Sequence, residues 1–297
     1  MHLNAFLQSV VGCGSMVVTT TLVASCGQEA PEAGRTEAAA TIVASADDVP
    51  VAYEVRGAGA PALVFVHGWS CDRSYWEGQL EPFSRDFRVV AVDLAGHGES
   101  GLGREGWTIE SFGGDVAAVV EELALDQVIL IGHSMGGDVI VEAARRLPGR
   151  VAGLVWVDTY SDLGTPRTSE QVQEFVGRFG ADFTETTRAF VRGMFPAGSD
   201  VALVERVAMD MSAAPPTVAL GAPESALTYD REVTVAPQEL GLPVVAINPD
   251  NGQTNVQSLD QHGVKVVLMP NVGHFMMMED TEAFNALLRQ VVDDLLP

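Results

Sequence analysis

The sequence predicts an α/β fold: a mostly parallel sheet covered by helices on both faces. Three observations lead there. Short apolar runs alternate with helically periodic stretches from about residue 40 onward. Several of the runs are apolar at every position, as in strands buried on both faces. One of them leads directly through a glycine-flanked turn into a helical pattern, the strand–turn–helix unit of open parallel sheets.

In chain order, Thr41 to Ala46 and Val51 to Val55 read as an opening pair of strands. The runs Ala62 to Val66, Phe87 to Val92, Val128 to Ile131, Val151 to Val157, Val244 to Ile247 and Val264 to Met269 follow as strands. Thr108 to Leu125 and Gly136 to Leu147 carry the helical pattern between them. Residues 161–240 break the alternation. Glu170 to Phe179 and Phe183 to Met194 look like amphipathic helices, and Pro215-Pro216 and Gly221-Ala222-Pro223 interrupt the remainder of the block. Because this block falls between two core strands, it is expected to be a helical cap inserted into a domain spanning 41–297. A second independent domain is disfavoured by the shortness of the block.

Composition narrows the class. At 47% hydrophobic and 19% charged over 297 residues, the chain can bury a full core. Its net charge of −23 opposes phosphate backbones, so nucleic acid is not an expected partner. The acidic excess is spread along the chain and reads as a solubility feature rather than a binding patch. The cysteines, Cys13, Cys26 and Cys71, make no disulfide framework. No Cys/His spacing that would hold zinc is present, and no metal or organic cofactor is implied.

The first residues read as an address. Phe6 to Ser25 is apolar and small, and is interrupted by Gln8, Ser9, Gly12, Gly14 and Ser15, which argues against a membrane-spanning helix. It ends in Val23-Ala24-Ser25-Cys26, which resembles the lipobox of bacterial lipoproteins. That resemblance implies a signal peptide over 1–26, acylation of Cys26 and an extracytoplasmic, membrane-anchored protein. Residues 27–40 have the composition of a flexible linker. No Lys or Arg precedes the apolar core, only the amino terminus and His2. The alternative is an ordinary secretory signal and a secreted protein.

Gly132-His133-Ser134-Met135-Gly136 fits G-x-S-x-G between a buried strand and a helix, the context a nucleophile elbow requires. The turn leaves no room for side chains two residues to either side of Ser134. The next helix points its positive end at the site, where negative charge develops.

With this motif, and with His67-Gly68-Trp69, Asp93 to Ser100 and Gly273-His274-Phe275 in their expected order, the chain resembles the α/β-hydrolase fold over roughly 40–297. The resemblance implies Ser134 as nucleophile and His274 as general base. It also implies an oxyanion hole from the backbone N–H groups of Trp69 and Met135, whose side chains are expected to line the substrate pocket. Of the other histidines, His67 and His97 lie in glycine turns and are expected to be structural. His133 is expected to point away from Ser134. The acid is Asp158 or, as the alternative, Asp250. Asp158 ends the run Leu154 to Asp158, where the haloalkane-dehalogenase branch of the family carries its acid. Asp250 lies in Asn248 to Gly252, the usual acid loop, but about two residues early. That branch uses an aspartate nucleophile, so Ser134 excludes its chemistry here.

The implied function is hydrolysis of a carboxylic ester or related acyl compound through an acyl-enzyme. The alternatives are carbon–carbon bond or lactone hydrolysis by the same triad, acyl transfer to an alcohol, and a non-catalytic ligand-binding member of the fold. The implied partners are a small ester or acyl substrate and a membrane.

Overall fold

A computed structural model describes residues 41–164 and 166–296, and these belong to one compact unit. The expected leader at 1–26, the linker at 27–40 and the acylation site Cys26 lie outside the described residues. No helix among the described residues is long and apolar enough to cross a membrane.

The elements run β1 (Thr41–Ala44), β2 (Pro50–Arg56), β3 (Ala62–Val66), α1 (Glu77–Ser84), β4 (Arg88–Val92), α2 (Ile109–Glu122), β5 (Val128–His133), α3 (Met135–Arg146) and β6 (Val151–Val157). The insertion comes next: α4 (Ser169–Gly177), α5 (Phe183–Arg192), α6 (Val201–Met211), α7 (Pro216–Thr228) and α8 (Asp230–Leu240). The chain then returns through β7 (Val244–Pro249), α9 (Val256–Gln261), β8 (Val264–Met269), α10 (Met276–Glu279) and α11 (Thr281–Leu295).

The strands form one eight-stranded sheet in the order β1-β2-β4-β3-β5-β6-β7-β8. β2 is antiparallel to both β1 and β4, and every other pairing is parallel. Every residue of β3 and β5 is buried. Side chains alternate across a sheet, so both faces must be covered. One cover contains α2, α3 and α8, and the other contains α1, α10 and α11. β1 and β8 sit at the edges and are correspondingly more exposed.

The strand order sets the site. After β3 the chain crosses to β4 on one side, then returns to place β5 on the other side of β3. Loops leaving the carboxyl ends of β3 and β5 therefore diverge and leave a crevice, the place where open α/β sheets bind ligands. The loop after β3 carries Trp69 and the turn after β5 carries Ser134.

The helices have local reasons to form. Thr108 and Ser111 make a reciprocal capping box at the start of α2, and Thr168 and Gln171 do the same for α4. Asp182 caps α5 through the Glu185 amide. One expectation differs from the structure: Pro215-Pro216 and Gly221-Ala222-Pro223 do not interrupt the segment. Pro216 occupies the first turn of α7, where its missing N–H costs nothing, and the helix continues through Gly221 and Pro223.

Candidate active site

Ser134 lies between β5 and α3 with φ 53° and ψ −123°, a strained backbone for a residue with a side chain. Its side chain does not cap α3, and its amide donates to the Val157 carbonyl at 2.9 Å. The flanking glycines are needed for packing. A Cβ on Gly132 would lie 2.2 Å from the Gly136 oxygen, and one on Gly136 would lie 2.6 Å from the carbonyl oxygens of Val66 and His67. The elbow and the β3 loop are thus in backbone contact. Met135 is the first residue of α3, where a helix leaves its N–H groups without intrahelical partners.

His274 lies in the loop between β8 and α10. Its Nδ1–H donates to Asp158 Oδ2 at 2.6 Å. Asp158 directly follows β6 at φ 46°, and its amide donates to the Ile247 carbonyl at 2.9 Å. With Nδ1 carrying the proton, Nε2 is left with the lone pair. Asp250 is exposed, and its amide pairs with the Met269 carbonyl at 2.8 Å.

The His274 loop is braced in three ways that the sequence did not suggest. The His274 amide donates to the Met194 carbonyl of the insertion at 3.1 Å. The His274 carbonyl accepts Nε2–H of His133 at 2.9 Å. Glu279 accepts the flanking amides, Gly273 at 3.0 Å and Phe275 at 3.1 Å. Burial raises the Glu279 carboxyl above its usual range, while these amides act in the opposite direction. Glu279 stands five positions beyond His274 and belongs to no motif of its own.

His67, His97 and His133 are buried. His67 donates Nδ1–H to the Gly68 carbonyl and accepts the Leu94 amide on Nε2 at 3.0 Å, tying the β3 loop to the turn after β4. In that turn Asp93, fully buried, accepts the amides of Arg73 at 2.7 Å and Glu99 at 2.9 Å and pairs with the Arg73 guanidinium. Burial lowers His67 and His133, and takes His97 down to about 3. The His133 ring centroid lies 4.5 Å from that of His274.

Ser134, His274, Trp69 and Met135 all line one cavity of about 270 Å³, to which α4, α5, α6 and α7 also contribute lining residues. Its wall is largely apolar, with Phe175, Phe190, Met211 and Leu227 among the lining residues. Asp138 and Tyr160 also line it, and the Tyr160 hydroxyl donates to Asp138 at 2.9 Å. Cys71 borders it as a buried thiol that burial pushes well above its usual range, which disfavours thiolate chemistry. Among the described residues no cluster of three or more His, Cys, Asp or Glu could hold a metal ion.

Comparison with known proteins places this geometry among relatives. The model of the alpha/beta hydrolase family matches residues 63–287, well over half of the chain. The dihydrolipoyllysine-residue acetyltransferase component of an acetoin cleaving system from Cupriavidus necator is 32% identical over 189 residues, 63% of this chain and 49% of that protein. A non-heme haloperoxidase from Rhodococcus erythropolis is 37% identical over 123 residues, 41% of this chain and 44% of that one. The chain thus spans about half the length of the curated relatives it matches. Among solved structures, a thermophilic esterase from Thermogutta terrifontis superposes with a TM-score of 0.75 at 22% identity, covering 87% of this chain and 99% of the other. At that identity the likeness is one of fold.

Proposed function

The chain belongs to the alpha/beta hydrolase family, and on that premise we propose that it is a serine hydrolase that cleaves a carboxylic ester of a small acid. The observation that carries this reading is the ordered pair His274 Nδ1–Asp158 Oδ2 at 2.6 Å, with His274 lining the same cavity as the elbow serine, Ser134.

In this reaction Ser134 Oγ attacks the ester carbonyl and His274 Nε2 takes the hydroxyl proton. Asp158 keeps the proton of the resting imidazole on Nδ1 and stabilises the imidazolium that forms. The carbonyl oxygen becomes an oxyanion facing the amides of Met135 and Trp69, each such donor contributing about 3 kcal/mol to the barrier reduction. Collapse expels the alcohol, which receives the proton from His274 and leaves an acyl-enzyme. Water, deprotonated by the same imidazole, then releases the acid and regenerates Ser134.

The reading extends to location. From residues 1–26 we infer that Cys26 is acylated and holds the enzyme at a bacterial membrane on its extracytoplasmic side. Loss of labelled palmitate from Cys26→Ser, and its release into the soluble fraction, is the expected outcome. Retention of the label would remove the anchor from the proposal.

Fluorophosphonate labelling of the protein, with the modified peptide mapped by mass spectrometry, tests the chemistry. The expected adduct is on Ser134, absent in Ser134→Ala and slowed in His274→Ala. A folded protein that takes no label refutes the serine-hydrolase reading and leaves a ligand-binding role.

A further inference from the structure

The carbonyl of Ala219 stands in the first half of α7, and residue 223, four positions on, is proline. In an α-helix the donor to that carbonyl is the N–H of residue 223, and proline has none. The vacated acceptor is filled from another part of the chain: the indole Nε1–H of Trp69 donates to the Ala219 oxygen at 2.9 Å in buried surroundings. The bond joins the loop after β3 to the insertion over the site. A buried carbonyl needs a partner, so Pro223 creates a demand that Trp69 meets.

The rest of Trp69 is fixed as well. Its ring meets Phe179 at 5.2 Å, and Phe183 and Phe190 each at 6.3 Å, all residues of the insertion and all edge-on. Its carbonyl accepts the Cys71 thiol at 3.3 Å, and the Cys71 amide closes the turn onto the Gly68 carbonyl at 3.3 Å. The peptide and the side chain of one residue are therefore anchored to two different layers.

We propose that Trp69 is a positioning residue whose indole, bonded to the carbonyl that Pro223 frees, sets the Trp69 amide against Ser134, so that the oxyanion hole is complete only when α7 is seated. This rests on the hydrolase reading above. An amide that stabilises an oxyanion must sit within about 0.5 Å of its productive place. A misplacement of about 1 Å costs on the order of a hundredfold in rate. The interaction strengthens as the carbonyl becomes an oxyanion, so its loss falls on kcat rather than KM. The cap would thus act on catalysis, as well as covering the pocket.

The test compares three full-length proteins, wild type, Trp69→Phe and Trp69→Phe/Pro223→Ala, reading kcat and KM on the p-nitrophenyl ester of a short acid together with Tm. Trp69→Phe keeps an aromatic ring but removes the donor. It is expected to lower kcat by about ten- to a hundredfold with KM within about threefold, and to lower Tm by stranding the Ala219 carbonyl. The double variant supplies a backbone N–H at 223 to the same carbonyl. It is expected to recover Tm without recovering kcat, and it gives a folded protein to assay if the single variant folds poorly. A wild-type kcat in either variant, or kcat recovering in step with Tm, overturns the proposal and leaves Trp69 a packing residue. A wild type that takes no fluorophosphonate overturns the hydrolase reading and this inference with it. A labelled wild type with an unimpaired Trp69→Phe overturns this inference alone.

Discussion

The imidazole of His133 donates Nε2–H to the main-chain carbonyl of His274 across 2.9 Å, with the two ring centroids 4.5 Å apart. The residue before the elbow serine therefore holds the backbone of the proposed general base. Burial and the neighbouring His274 keep His133 well below the usual imidazole range, so it acts as a neutral donor at physiological pH.

His133→Phe keeps a ring of similar size in this place and removes the donor. The His274 loop retains its Met194 and Glu279 contacts, so the protein is expected to fold. Released from one of its braces, His274 should spend less time in line with Ser134, and kcat should fall by about ten- to a hundredfold. Steady-state hydrolysis of a p-nitrophenyl ester checks this. More than half of the wild-type kcat would show that the contact packs the loop without aiming it.

The acid can be settled by charge removal without reshaping the backbone. Asp158 has φ 46°, a region that asparagine tolerates better than most residues. Asp158→Asn should therefore fold normally but present an amide where His274 needs a carboxylate, with kcat falling by about 10⁴-fold. Asp250 is exposed and meets the site through no contact at His274, so Asp250→Asn should leave kcat within about twofold, the usual range of a surface change. If the two variants exchange these results, the His274–Asp158 pair is structural and the later loop supplies the acid.

How much of this was legible in the sequence depends on the range of the interaction. β3 and β6 have the bounds that their apolar runs predicted, because burial on both faces writes itself into consecutive residues. Ser134 was legible because an elbow needs glycine at two fixed offsets. Pro223 was misread: local propensity treats it as a breaker, whereas the carbonyl it frees is satisfied by Trp69, 150 positions away. The braces on His274 were invisible for the same reason. Met194 and His133 reach it from other elements, and only folding brings them near. Asp158 and Asp250 both end strands that pair in parallel, so periodicity alone could not separate them.

The cavity also constrains the substrate. At about 270 Å³ it lies at the small end of ligand sites and suits a short acyl chain. Phe175 and Phe190 border both this cavity and a groove on the outer side of α4 and α5, with their rings 5.6 Å apart and edge-on. Phe175 is the better probe, because Phe190 also touches Trp69. Phe175→Ala should open the partition and move the preferred p-nitrophenyl ester from about two to four acyl carbons to about six or more, each newly buried methylene contributing about 0.8 kcal/mol. Chain-length profiles of kcat/KM read this directly. An unchanged optimum would mean that the pair does not bound the acyl site.

Stability should fall in acid because of the buried histidines. His97 donates Nδ1–H to the Ala95 carbonyl, while its Nε2 is buried with no hydrogen-bond partner among the described residues. Its ring lies 5.0 Å from that of His67, so a proton on Nε2 would add an unpaired buried charge beside a second imidazole. Burial accordingly takes His97 down to about 3, against about 6.5 in the unfolded chain. Between those values the unfolded state holds the extra proton. Folding stability is thus fully present above pH 6.5 and is lost as pH falls toward 3, by up to about 1.4 kcal/mol per unit for this residue. His67 and His133 shift in the same direction. Glu279 and Asp210 are raised by burial and act oppositely, but both are less buried than the histidines. Urea unfolding at pH 7, 6 and 5 should show wild-type stability declining across the series. His97→Gln, less stable at pH 7, should decline more gently because it has no proton to take up. Parallel slopes for the two proteins would mean that His97 is protonated in the folded state and that its burial does not set the acid limit.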